Sequence, residues 1–127
     1  MSIIVSALVF DWVLWVMNDD FGVLLDDASA LNADLFSLTR LQLLAGLSYL
    51  NLDGATYSDL KISLGITDGA LYANLGALEK MGLIQSKKVA LENKKVEAYT
   101  ITTEGITQWQ LIRTWLQRLA GYGGNNR

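Results

Sequence analysis

The sequence predicts a mainly α chain with one small β-hairpin, and three observations carry that reading. Two adjoining stretches, 56–65 and 67–82, show helix caps and helical spacing of apolar residues. A lysine-rich stretch over 83–102 alternates with the period of strands. The 127 residues contain no proline, as suits a helical chain with few rigid loops. A chain of this length builds one core rather than two.

Residues 3–17 come first and are apolar nearly all round, the mark of a helix buried in protein or lipid. Fifteen residues span about 22 Å as a helix, short of the ~30 Å hydrocarbon core. Asp11 sits near the middle and no basic residue precedes the run, as a signal peptide requires. The expectation is a segment buried in a homodimer, with no membrane crossing.

Thr56 followed by Asp59 is a capping box, so a helix starts at Tyr57 with Leu60, Ile62 and Leu64 as its buried side. Gly65 is placed to end it in a left-handed conformation. Thr67 caps the next helix, and Asp68 suits the positive end of its dipole. Leu71, Leu75, Leu78 and Met81 make one apolar stripe on that helix, and Gly82 closes it. Its other face carries Asp68, Gly69, Tyr72, Ala73, Asn74, Gly76 and Ala77, small or polar residues that let a partner approach closely.

Two strands are expected at 83–89 and 96–102, joined at Glu92-Asn93. Lys87, Lys88, Lys94 and Lys95 flank that turn, four of the ten cationic side chains of the chain. A last helix over about 103–120 has Trp109, Ile112, Leu116 and Leu119 as a stripe that Leu111 and Trp115 widen, more than one neighbouring helix covers. The order is helix, turn, helix, wing: a winged helix-turn-helix with N- and C-terminal helices for dimerisation. Such a unit holds one helix rigidly against an outside partner, most often the DNA major groove. The expected division is an apolar and acidic extension at 1–33, the winged unit at 34–105, a dimerisation helix at 106–120 and a tail at 121–127.

The runs Arg40-Leu41-Gln42-Leu43-Leu44, Tyr57-Ser58-Asp59-Leu60, Leu64 to Leu71, Leu75 to Gly82 and Tyr99 to Gly105 carry a family resemblance. The chain resembles the dimeric winged-helix transcriptional regulators of the MarR/ArsR-like superfamily over roughly residues 34–118. It is nearest the group whose recognition helix opens Thr/Ser-Asp-Gly. That resemblance implies that Thr67, Asp68, Gly69, Tyr72 and Asn74 face double-stranded DNA and that the wing lysines lie on an adjacent backbone. The chain departs from the family at Gly76, where relatives carry a basic residue, and at Asn74, where they carry His or Arg.

Net charge is −3, which looks wrong for a DNA-binding protein until it is divided. Residues 1–34 hold six acids and no Lys or Arg, whereas 35–127 hold ten basic against seven acidic side chains, or +3. Affinity for DNA follows charge near the phosphates, so the acidic extension does not exclude it. With no Cys and no His, the chain has no disulfide, no thiolate zinc site and none of the commonest general base. No catalytic constellation and no cofactor is expected. Asp19-Asp20 and Asp26-Asp27 lack the fixed ligand spacing of a cation loop and read as solvated turns and helix starts.

All four tryptophans, Trp12, Trp15, Trp109 and Trp115, lie in the terminal segments. They read as packing between subunits, or as a pocket for a small apolar effector. Two functions remain open. One is a cytoplasmic, homodimeric, sequence-specific DNA-binding regulator, in which Tyr72 and Asn74 touch base edges. The other is a protein-interaction module that docks a partner on Ala73, Gly76 and Ala77.

Overall fold

The computed structural model of the chain describes residues 21–123. The expectations for residues 3–17, Trp12, Trp15 and Asp19-Asp20 lie outside them. Among the described residues, five α-helices and three strands follow in the order α1 (Phe21–Asp27), α2 (Leu38–Leu50), β1 (Ala55–Thr56), α3 (Tyr57–Leu64), α4 (Asp68–Lys80), β2 (Ile84–Leu91), β3 (Lys94–Ile101) and α5 (Thr103–Gly123). Single 3₁₀ turns occupy Ala28–Ala30, Ala33–Leu35 and Asn51–Asp53. The fold is mainly α with a small antiparallel wing.

The described residues form two compact units, 33–111 and 21–32 with 112–123. In the first, α2, α3 and α4 pack with a three-stranded sheet of order β1-β3-β2. Its core is a leucine cluster, Leu35, Leu43, Leu44, Leu47, Leu60, Leu71, Leu75, Leu78 and Leu83, closed by Ile84, Tyr99 and Ile101. The expected α4 stripe is buried at Leu71, Leu75 and Leu78, while Met81 caps the helix and is half-buried.

Ile62 differs from the reading of α3: it is 78% exposed. Spacing of two residues turns a helix by about 200°, so Leu60 and Ile62 cannot share a face. Leu60 is buried instead, with Leu64 half-buried at i+4.

α4 ends in a Schellman closure. The Gly82 N–H donates to the Glu79 carbonyl (2.9 Å) and the Leu83 N–H to the Leu78 carbonyl (3.0 Å), with Gly82 at φ +77°. The strands reach further toward the turn than expected, pairing Ala90 with Lys95 and Leu91 with Lys94. The two-residue strand β1, absent from the sequence reading, pairs Ala55 with Tyr99 and Thr56 with Ala98, making β3 central and burying Ala98 as well as Tyr99.

Glu92 and Asn93 form the two-residue turn, both at positive φ (50° and 66°), the geometry that favours Asn-Gly. Glu is a strained choice there. Replacing Glu92→Asn together with Asn93→Gly is expected to stabilise the unit by about 0.5–1 kcal/mol. A raised urea midpoint at unchanged slope is the readout; a lowered midpoint would contradict the turn geometry.

At the other end of the hairpin, Thr102 joins sheet to helix. Its N–H donates to the Leu83 carbonyl (2.9 Å), and its hydroxyl donates to the Gly82 carbonyl (2.7 Å). The same hydroxyl oxygen accepts the Gly105 N–H (3.0 Å), which caps α5.

In the second unit, the Trp115 indole N–H donates to the Leu24 carbonyl (2.9 Å) and Arg118 pairs with Asp27 at 2.8 Å. The rings of Phe21 and Tyr122 meet edge to face at 5.2 Å. α5 runs to Gly123, three residues past the expected end. No helix among the described residues is long and apolar enough to cross a membrane.

Candidate nucleic-acid interface

The turn between α3 and α4 sets the geometry of the exposed surface. The capping box is formed, Asp59 N–H to Thr56 Oγ1 and Thr56 N–H to Asp59 Oδ2, both 3.1 Å. Gly65 ends α3 at φ +62°, ψ +31°, and the Thr67 hydroxyl accepts the Ala70 N–H (3.1 Å) to open α4. Leucines on the opposite side anchor both helices, so the first turns of α4 project as a fixed element.

Thr67, Asp68, Gly69, Tyr72, Ala73 and Gly76 are all exposed on that element. A methyl built on Gly69 or Gly76 meets no atom within 4 Å, so the surface there is open. Tyr72 is 59% exposed and its ring stacks on Tyr57 of α3, centroids 4.5 Å apart and planes inclined by 24°. The Tyr57 hydroxyl donates to Asp68 Oδ1 (2.7 Å). Lys61 lies 3.5 Å from the same oxygen while donating to the Ile66 carbonyl (2.6 Å).

Asn74 sits elsewhere than the sequence reading placed it. It is half-buried, its Oδ1 accepting from Arg40 Nε (2.9 Å) and its Nδ2 donating to the Ala70 carbonyl (2.8 Å). Arg40 also donates to the Asp34 carbonyl (2.8 Å). Both ends of the Asn74 amide are thus engaged inside the unit, holding Arg40 against α4.

The four wing lysines are exposed but do not share one face. Neighbouring strand residues point to opposite sides, so Lys88 and Lys95 lie on the face of Ile84, Tyr99 and Ile101, and Lys87 and Lys94 lie on the other. Glu97 stands directly across from Lys88, and the Ser86 hydroxyl donates to Glu79 (3.0 Å) on that same face. The face of Lys87 and Lys94 carries no acid on β2 or β3.

Three residues of this surface, Arg40, Tyr57 and Lys61, were not among the sequence candidates. Tyr57 and Lys61 are four apart on α3, a spacing that puts them on one side of a helix. That side adjoins the cap at Thr67, which is the signal available in the sequence.

Two tyrosines titrate abnormally. Loss of water contact, then the hydrogen bond to the Asp68 carboxylate, pushes Tyr57 up to about 12 from 10.0. Burial, reinforced by Glu97 and Glu79, does the same to Tyr99. The Tyr57 hydroxyl and then Lys61 hold Asp68 below the ordinary carboxylate value. Both phenols have folded values above their unfolded ones, so their contribution to stability is complete below pH 10 and vanishes as pH rises through 12. An absorbance titration at alkaline pH should show Tyr57 and Tyr99 ionising near 12, with Tyr57→Phe deleting one of the two. Ionisation of every phenol near 10 in the folded chain would contradict this geometry.

Helix, turn, helix and wing, with an exposed capped helix and a cationic hairpin, define a winged-helix domain. The chain belongs to the family described as winged helix DNA-binding domain, which it matches over residues 39–120. No curated protein matches it in sequence. Among solved structures it is similar to MepR of S. aureus in complex with DNA, at 18% identity and a TM-score of 0.60 over 89% of this chain and 86% of that one. A transcriptional regulator homologue from Pyrococcus horikoshii gives 22% identity and a TM-score of 0.64, covering 72% and 88%. A PadR-like transcription factor from Bacteroides fragilis gives 18% and 0.55, covering 66% and 87%.

Proposed function

We propose that the chain is a homodimeric, sequence-specific reader of double-stranded DNA that regulates transcription without catalysing a reaction. The observation that carries this is the first turn of α4, capped by Thr67 and bare of protein contacts at Gly69, beside an exposed cationic wing. Recognition helices of this class meet base edges with their N-terminal residues. Exposed amides there take phosphate, and the lysines Lys87, Lys88, Lys94 and Lys95 grip the backbone. MepR, which shares the fold, was solved on DNA.

Tyr72, Asp68 and Gly69 supply the surface toward bases, with Asn74 acting through Arg40. Dimerisation is supported by Leu119 and Tyr122, which the second unit leaves exposed. A two-fold dimer would address half-sites about one turn (~34 Å) apart.

Selection of bound fragments from random duplex DNA, at low and moderate salt, is the test. A two-fold symmetric consensus is expected. Absence of enrichment, with a stable complex with another protein recovered instead, would favour docking through Ala73, Gly76 and Ala77.

A further inference from the structure

The side-chain cluster at the start of α4 does more than present polar groups. Asp68 is in the first turn, exposed, and only one of its carboxylate oxygens is engaged: Oδ1 takes the Tyr57 hydroxyl at 2.7 Å and faces Lys61 at 3.5 Å. Oδ2 has no hydrogen-bond partner among the described residues. Tyr57 in turn cannot swing away freely, because its ring is stacked on Tyr72.

A carboxylate in a DNA-facing position is costly unless its charge is offset and its direction fixed. Here both conditions hold, since Lys61 neutralises it and is itself tied to the Ile66 carbonyl at 2.6 Å. We propose that Asp68 is a specificity-determining residue that accepts the N4 amino group of a cytosine in the major groove, with Tyr57 and Lys61 as its positioning residues. This rests on the DNA-reading function proposed above.

The choice of base follows from the groove edges. A carboxylate only accepts, so it is repelled by the N7 and O6 of guanine and the O4 of thymine. Adenine offers an amino group, but beside the acceptor N7. Cytosine presents its amino group with an acceptor, the O6 of the paired guanine, on one side only, whereas the adenine amino group stands between N7 and the thymine O4. The repulsive terms therefore discriminate as much as the attractive one. Tyr57 and Lys61 act by holding the charge in place: the hydroxyl fixes the plane of the carboxylate, and the ammonium lets it approach a polyanion.

The test is selection from random duplex DNA with the full-length wild type, Asp68→Asn and Tyr57→Phe, each checked for unchanged helical content. The wild-type consensus should contain a cytosine in each half-site, preferred over thymine by about tenfold. Asp68→Asn should bring that preference to within about twofold. Tyr57→Phe keeps the stack and the charge, and should lower the preference by about threefold with little change in overall affinity. A merely structural role for Tyr57 would change overall affinity at constant preference.

Enrichment of a consensus that Asp68→Asn leaves unaltered at every position would overturn the inference while the DNA-reading function stands. Failure of the wild type to enrich any duplex would overturn both.

Discussion

Gly105→Ala is expected to destabilise the winged unit by on the order of 3 kcal/mol or more, enough to threaten folding of a domain whose total stability is about 5–15 kcal/mol. Gly105 is buried in the first turn of α5. A methyl there overlaps the Leu83 carbonyl oxygen and comes within 2.6 Å of Ile101 Cγ1. Neither side has room to yield. The Leu83 carbonyl is held by the Thr102 N–H, and Gly105 is held by the Thr102 hydroxyl. Gly76→Ala is the control, since it lies in the exposed interior of α4 with no atom within 4 Å of the new methyl. It should stabilise by about 0.5–1 kcal/mol through helix propensity. Urea unfolding of the two variants beside the parent decides the matter; equal and small shifts would mean that the contact between α5 and the β2 start is looser than described.

Removing charge from one face of the wing should weaken DNA binding far more than removing it from the other. Replacing Lys87 and Lys94 with Ala deletes the two lysines on the face without acids on its strands. If each contacts one phosphate, the slope of log K against log salt falls by about two, and affinity at 0.1 M salt falls roughly 10- to 100-fold on every sequence. Replacing Lys88 and Lys95 removes as many charges, but Glu97 already opposes Lys88 across the strands. That pair should flatten the slope by about one unit. The combination Lys94→Ala with Lys95→Ala takes one lysine from each face and should fall between. Salt titrations of the three double variants on one duplex give the ordering. Identical slopes for all would show that the wing touches the backbone as a tip rather than by a face.

Much of this architecture was legible because it depends on local chemistry. Thr56 with Asp59, Gly65, Thr67 and Gly82 each satisfy orphan backbone groups within a few residues, so the ends of α3 and the bounds of α4 follow from neighbours in sequence. What was not legible depended on the third dimension. β1 is two residues long and exists only because β3 pairs with it from more than forty residues away. The apolar side chain of Ile62 suggests the core, but the angle along the helix puts it in water. Asn74 looked like an exposed reader, and only the arrival of Arg40 from α2 turns its amide inward. The division of the wing lysines between faces was implicit in their adjacency, since Lys87-Lys88 and Lys94-Lys95 cannot both point one way in a strand.

Tyr57 shows the same limit from the other side. Its identity suggested an ordinary first-turn residue of α3, and its partners Tyr72 and Asp68 lie on the next helix. A stack and a hydrogen bond across a turn are invisible to periodicity. They are what make the exposed surface of α4 a pre-set array of groups.

The junction at Thr102 leaves no slack between wing and helix: β3 ends at Ile101, α5 begins at Thr103, and the single residue between them is bonded to Gly82, Leu83 and Gly105. A chain without a hinge transmits torque. A twist applied to the first turn of α5 would therefore reach the base of the hairpin undamped.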